Sequence, residues 1–100
     1  MSVQFDGFDW DEGNRLKCQK HGVSIVEIES LFESLDLFIA PDIAHSDKEK
    51  RFRAVGPTTN GRFVFLVFTI RRRETTILIR PISARFMHKK EIEEYEEDIT

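Results

Sequence analysis

Arginines recur through the middle of this sequence, among them Arg51, Arg53, Arg62, Arg71, Arg80 and Arg85. A guanidinium is a permanently charged planar fork that holds two oxygens at once, so arginine repeated in this way suits phosphate groups. Lys20-His21 precedes Gly22 and offers two side chains that can move a proton. A histidine titrates near neutrality, and a lysine does so when neighbouring cations lower its pKa. Trp10 is the one tryptophan and offers a ring on which an unpaired base can stack. Glu49 stands directly before the basic stretch, where a carboxylate serves either as a base or as a holder of arginines. Each residue also has a plainer reading. Lys20 and His21 complement a helix dipole, Trp10 fills core, Arg71 to Arg73 form a solvated loop, and Cys18 is an ordinary helix residue.

The net charge of −3 conceals a segregation. Residues 1–47 carry three basic and ten acidic side chains, residues 48–90 twelve basic and two acidic, and residues 91–100 six acidic and none basic. A dense basic centre focuses potential locally whatever the total, so a polyanion such as RNA is the expected partner. The acidic ends are read either as solvated faces that neutralise the centre or as a shield over it. Other chemistry finds no support. His21, His45 and His88 are far apart, and no Cys/His pair has metal-ligand spacing. No phosphate loop, dinucleotide fingerprint or nucleophile elbow occurs, so neither metal nor cofactor is expected. No apolar run reaches the ~18 residues of a membrane span, the first residues lack a signal-peptide pattern, and one cysteine permits no internal disulfide. A cytoplasmic setting follows as an expectation.

The elements that must position these groups are legible in outline. Phe5, Phe8 and Trp10 read as a short opening strand. Asp9 or Asp11 caps a helix to about Lys20, with Gly22 in the left-handed position after it. Ser24 and Glu27 form a capping box, stapled by Val23 and Ile28, for a helix carrying Ile28, Leu31, Phe32 and Leu35. A strand begins at Leu37 and breaks at Pro41-Asp42, and residues 42–47 read as a turn. Arg51 to Val55 alternates as a strand, Asn60-Gly61 marks a hairpin, and Arg62 to Ile70 is apolar on both faces. Arg71 to Glu74 reads as a hairpin loop. Thr75 to Ile82 forms the last strand, with Pro81 at an edge or a bulge. Arg80 and Arg85 then flank its junction with a final helix from about Met87, which carries Ile92, Tyr95 and Ile99 on one face. The expected fold is α+β: one domain over residues 1–100, a central antiparallel sheet with two N-terminal helices and one C-terminal helix packed on it.

Three blocks of residues resemble the BrnT toxin family. The first is Phe8-Asp9-Trp10-Asp11-Glu12-Gly13-Asn14-Arg15 with Lys20-His21-Gly22-Val23-Ser24. The second is Glu49-Lys50-Arg51-Phe52 with Val55-Gly56, Gly61-Arg62 and Phe68-Thr69-Ile70-Arg71. The third is Ile82-Ser83-Ala84-Arg85 with Glu91 and Tyr95. Leu16 departs from a commonly polar position and Pro81 from a commonly aliphatic one. The resemblance implies a RelE-like fold and a toxin of a bacterial type II toxin–antitoxin pair that cleaves RNA and blocks translation. It also implies a BrnA-like ribbon-helix-helix antitoxin as partner, two copies of each in the complex, with DNA engaged only through the antitoxin.

Metal-free RNA cleavage needs a base for the ribose 2′-hydroxyl, cations for the phosphorane and an acid for the leaving 5′-oxygen. On the charge map and the resemblance together, Lys20 and His21 are the expected proton-transfer groups, with Arg71, Arg80 and Arg85 completing the catalytic set. Arg51, Arg53, Arg62 and Trp10 are the expected RNA-binding residues, and Glu49 is a further candidate. The alternatives are a non-catalytic RNA- or protein-binding module of the same fold, and an interaction domain whose basic face only receives an acidic partner.

Overall fold

The structure, a computed structural model, describes residues 4–45 and 48–99. Residues 46 and 47 and the side chains of His45 and Ile99 lie outside that set, and with them part of the predicted 42–47 turn and the predicted Ile99 contact.

The chain forms β1 (Gly7–Phe8), α1 (Glu12–Gln19), α2 (Ile25–Leu31), β2 (Phe38–Pro41), a 3-10 turn (Ile43–His45), β3 (Phe52–Pro57), β4 (Phe63–Arg73), β5 (Thr76–Phe86) and α3 (Lys89–Ile99). The sheet order is β1-β5-β4-β3-β2. The four long-range neighbours β2 to β5 are antiparallel, as expected, but β1 pairs with β5 in parallel, so the five-stranded sheet is mixed. Among the described residues no helix is long and apolar enough to cross a membrane.

Local chemistry explains both N-terminal helices. Asp11, not Asp9, is the N-cap of α1, and its side chain accepts from the Asn14 amide at 3.0 Å while the Asp11 amide donates to Asn14 Oδ1 at 2.7 Å. Ser24 and Glu27 make the predicted box at the start of α2, each box satisfying amides that the first turn leaves without helical partners. Gly22 holds φ +91°, a conformation open to glycine without steric cost. Leu35 does not join the apolar face of α2: the helix ends at Leu31 and Leu35 is 83 % exposed.

One face of the sheet packs on α2. Val23, Ile28, Leu31, Leu66, Phe68 and Ile79 are buried there, and Phe32 meets Phe5, Phe8 and Phe68 edge-on with ring centres 5.4–5.6 Å apart, the spacing at which aromatic quadrupoles attract. On the other face lies α3. Tyr95 packs its ring against Phe63 at 5.9 Å and donates its hydroxyl proton to the Asp36 carbonyl.

Two predictions about β4 and β5 are corrected. Arg71, Arg72 and Arg73 belong to β4, not to a loop, because they pair with Leu78, Ile77 and Thr76. The turn is only Glu74-Thr75, with Glu74 at φ 56°. Likewise β5 does not end near Ile82 but runs to Phe86, so Arg80 and Arg85 are both strand residues. Pro81 sits, as expected, at a bulge, on the stretch of β5 beyond its short pairing with β1: Phe68 faces Pro81 and Val67 faces Ser83, leaving Ile82 as the extra residue.

Candidate functional site

The bulge decides which side of the sheet is basic. Residues five apart on a regular strand point to opposite faces, but one inserted residue reverses this. Arg80 therefore pairs with Thr69 and Arg85 with Phe65, two β4 residues of the same face. Arg53, paired with Val67, and Arg71 share that face.

At the β4–β5 turn end, Glu49, Arg51, Arg71 and Arg80 line one cleft of about 270 Å³ together with Asn14, Lys17, Pro81 and Ile82. Glu49 Oε2 is 2.6 Å from Arg71 Nη1. That hydrogen bond, with the nearby charges of Arg51 and Arg80, holds the Glu49 carboxyl below its ordinary range. Arg80 is 22 % exposed and is fixed from the other side, at 2.8 Å from Asp11 and 3.5 Å from Asp9. Asp11 thus caps α1 and anchors Arg80 at once. Its carboxyl is held low by the Asn14 amide and by Arg80. The arrangement offers three guanidinium groups around one ionised carboxylate, suited to an oxyanion that gains charge in a reaction.

α1 supplies the remaining wall because it covers the edge of β5 beyond the two-residue β1. The buried Asn14 amide donates to Asp9 O and to Pro81 O, both at 2.9 Å, so a carbonyl at the bulge that a neighbouring strand would satisfy is satisfied by a helix. Lys17, one turn on, faces the same cleft. Sequence reading missed both. The signal available was their i, i+3 spacing on one helix face, which marks no function until the partner strand is known.

The other predicted residues are elsewhere. Lys20 and His21 are exposed at the end of α1, beyond the lining of the cleft. Arg85 is held under α3 by a two-pronged pair with Glu91, at 2.7 and 2.9 Å, and lies over the Phe65 ring. Arg53 lines a second groove beneath α3 with Val55, Phe65 and Glu91. Arg62 stacks on Phe86 at 3.7 Å and lies 3.6 Å from Glu27, at the far end of β4. Trp10 is half-buried, its Nε1–H donating to Glu29 at 2.9 Å. Cys18 is buried, and burial pushes its thiol up to about 11, which leaves it protonated at neutral pH. Among the described residues no group of three or more His, Cys, Asp or Glu side chains is placed to hold a metal ion.

A family model described as the ribonuclease toxin BrnT of a type II toxin–antitoxin system matches residues 10–91. The chain belongs to the BrnT family. The match runs from Trp10 to Glu91, and so includes every wall of the cleft as well as the Arg85–Glu91 pair. A BrnT chain is a ribonuclease toxin by family, with an antitoxin as partner and RNA as target. No curated protein matches the chain.

Proposed function

We propose that this BrnT chain is a single-domain, cytoplasmic endoribonuclease that cleaves RNA without a metal ion at the Glu49–Arg51–Arg71–Arg80 cleft. The observation that carries the reading is the Glu49–Arg71 contact at 2.6 Å inside a ring of cations. Arg51, Arg71 and Arg80 hold the scissile phosphate and stabilise the phosphorane. Glu49, ionised at neutral pH, fixes Arg71 and accepts the 2′-hydroxyl proton as the 2′-oxygen attacks phosphorus. Its lowered pKa makes it a weak base, so the arginines supply most of the barrier reduction. Lys17, on the facing wall, gives a proton to the departing 5′-oxygen. The products are a 2′,3′-cyclic phosphate and a 5′-hydroxyl. The partner is a ribbon-helix-helix antitoxin, two copies of each chain forming the complex, with DNA bound only through the antitoxin.

The test is incubation of the purified chain with RNA in EDTA. Cleavage is expected to persist there. Arg71→Ala is expected to lower kcat by about 10²–10³-fold, as loss of one oxyanion-stabilising donor does, and Glu49→Gln by about 10²-fold. Full activity in both variants, combined with loss of activity in a Lys20→Ala, His21→Ala double variant, transfers the proton-moving role to the end of α1. Cleavage abolished by EDTA and restored by a divalent ion refutes the metal-free mechanism.

A further inference from the structure

Beside the cleft, across the Glu49–Arg71 pair, lies a larger open cavity of about 610 Å³, lined by Glu49, Lys50, Phe52, Thr69, Ile70, Arg71 and Arg72. Glu49 and Arg71 are common to both spaces. The two differ in character. The cleft presents three arginines, whereas the cavity has Phe52 and Ile70, both half-buried, between the cations Lys50 and Arg72.

We infer that this cavity is a nucleobase subsite, in which an unpaired base next to the scissile phosphate stacks on Phe52 while Lys50 and Arg72 hold the adjoining backbone. The inference rests on the proposed cleavage site: Glu49 and Arg71 line both spaces, and the cavity reaches around the end of β3 to the face of the sheet on which Phe52, paired with Phe68, and Ile70 lie. Three features support a base as the occupant. First, the Phe52 ring is pre-oriented: it stacks on Phe68 with centres 5.5 Å apart and planes 26° from parallel, so little freedom is lost when a base covers it. Second, the wall is braced, since Thr69 Oγ1 donates to Lys50 O at 2.7 Å and ties the segment before β3 to β4. Third, an apolar surface with cations at its margin is the combination by which proteins hold single-stranded nucleic acid, stacking on the ring and neutralising the phosphates. A phosphate alone would gain nothing from Phe52 and Ile70.

The experiment is a cycle between protein and substrate. The cleavage position is mapped on a short single-stranded RNA, and oligonucleotides with an abasic nucleotide at each flanking position are compared with the intact one. Phe52→Leu keeps an apolar side chain against Phe68 and removes the stacking face. It is expected to raise KM about tenfold with little change in kcat, in line with the loss of one base–aromatic stack. At one flanking position the abasic substrate is expected to cost the wild type a similar factor and to cost Phe52→Leu nothing further. Losses that multiply at every position, or an unchanged KM in Phe52→Leu, overturn the subsite. Arg72→Ala, at an exposed rim position, provides a variant with no core role and is expected to raise KM several-fold; an unchanged KM there also counts against it. Should the wild type not cleave at all, the cleavage reading fails separately. The same cycle read as binding of the RNA oligonucleotides then still decides for or against the subsite.

Discussion

Asn14 shows how much one side chain sets in this fold. Its amide donates to Asp9 O and Pro81 O, and its oxygen accepts from the Asp11 amide. It is 6 % exposed, so water cannot replace these partners. A net hydrogen bond is worth about 1 kcal/mol, and a buried group left without a partner costs more. Asn14→Ala is therefore expected to destabilise the chain by about 3 kcal/mol, measured by urea denaturation. Asn14→Asp keeps the shape but turns an oxygen toward two carbonyls, and its destabilisation should exceed that of alanine at neutral pH and shrink on acidification. Equal losses in the two variants at every pH would show that the carbonyl contacts carry no weight. At this scale the sequence was half legible. Residue type marked the arginines as candidate phosphate ligands and brought Glu49 into consideration. It could not separate Arg71 and Arg80, which share the cleft, from Arg62 and Arg85, which have carboxylate partners elsewhere, because those partners lie 35 and 6 positions away in sequence and only the fold brings them near.

At the scale of elements, α3 is held to the sheet by Glu91 on Arg85 and by Tyr95 on Asp36 and Phe63. The Arg85 hydrogen bonds, followed by the His88 amide, pull the Glu91 carboxyl from 4.5 down to about 2. A carboxylate depressed on folding contributes stability that is complete above its unfolded value and is lost as pH falls through its folded one. The anchoring of α3 by Glu91 should therefore be full above pH 4.5 and weaken between 4.5 and 2. The ring resonances of Tyr95, the one tyrosine of the chain, should broaden or shift in that interval, whereas in Glu91→Gln they should already be altered at pH 7 and change less on acidification. Identical titrations in the two proteins would exclude Glu91 as the anchor. The elements themselves were legible where their cause is local. The box at Ser24, an aspartate cap at Asp9 or Asp11 and the turn at Asn60-Gly61 close within four residues, so composition reveals them, although the return bond from the Asp11 amide to Asn14 that completes the first box was not foreseen. The extension of β4 through Arg73 was not legible, because three consecutive arginines gain their strand conformation from pairing with Ile77, Leu78 and Thr76. Nor was the face of Arg80, which depends on a single extra residue at the Pro81 bulge.

For the whole molecule, the question is how a chain of net charge −3 binds RNA. Its dimensions of 39 × 27 × 25 Å exceed the screening length of ~8 Å at physiological salt several times over. Charges at one end of the sheet therefore contribute little to binding at the other, and the local set matters more than the sum. β4 serves as the ruler. Arg62 precedes its first residue and Arg71 lies near its end, roughly 30 Å apart at ~3.3 Å per residue. Both variants Arg62→Ala and Arg71→Ala remove one positive charge. If net charge governed, the two would weaken RNA binding alike. With the site at the Arg71 end, Arg71→Ala is expected to lower affinity and to flatten the dependence of log K on log salt by about 0.7, the contribution of one single-strand phosphate contact. Arg62→Ala is expected to leave that slope unchanged and to lower thermal stability instead, because Arg62 covers Phe86 and faces Glu27. The measurement is a salt series of fluorescence anisotropy on an RNA with a 2′-deoxy nucleotide at the cleaved position, which binds without reacting. A slope reduced equally by both variants would mean that RNA tracks the full length of the strand, and the binding surface would then have to extend past α3 to the hairpin at Asn60-Gly61.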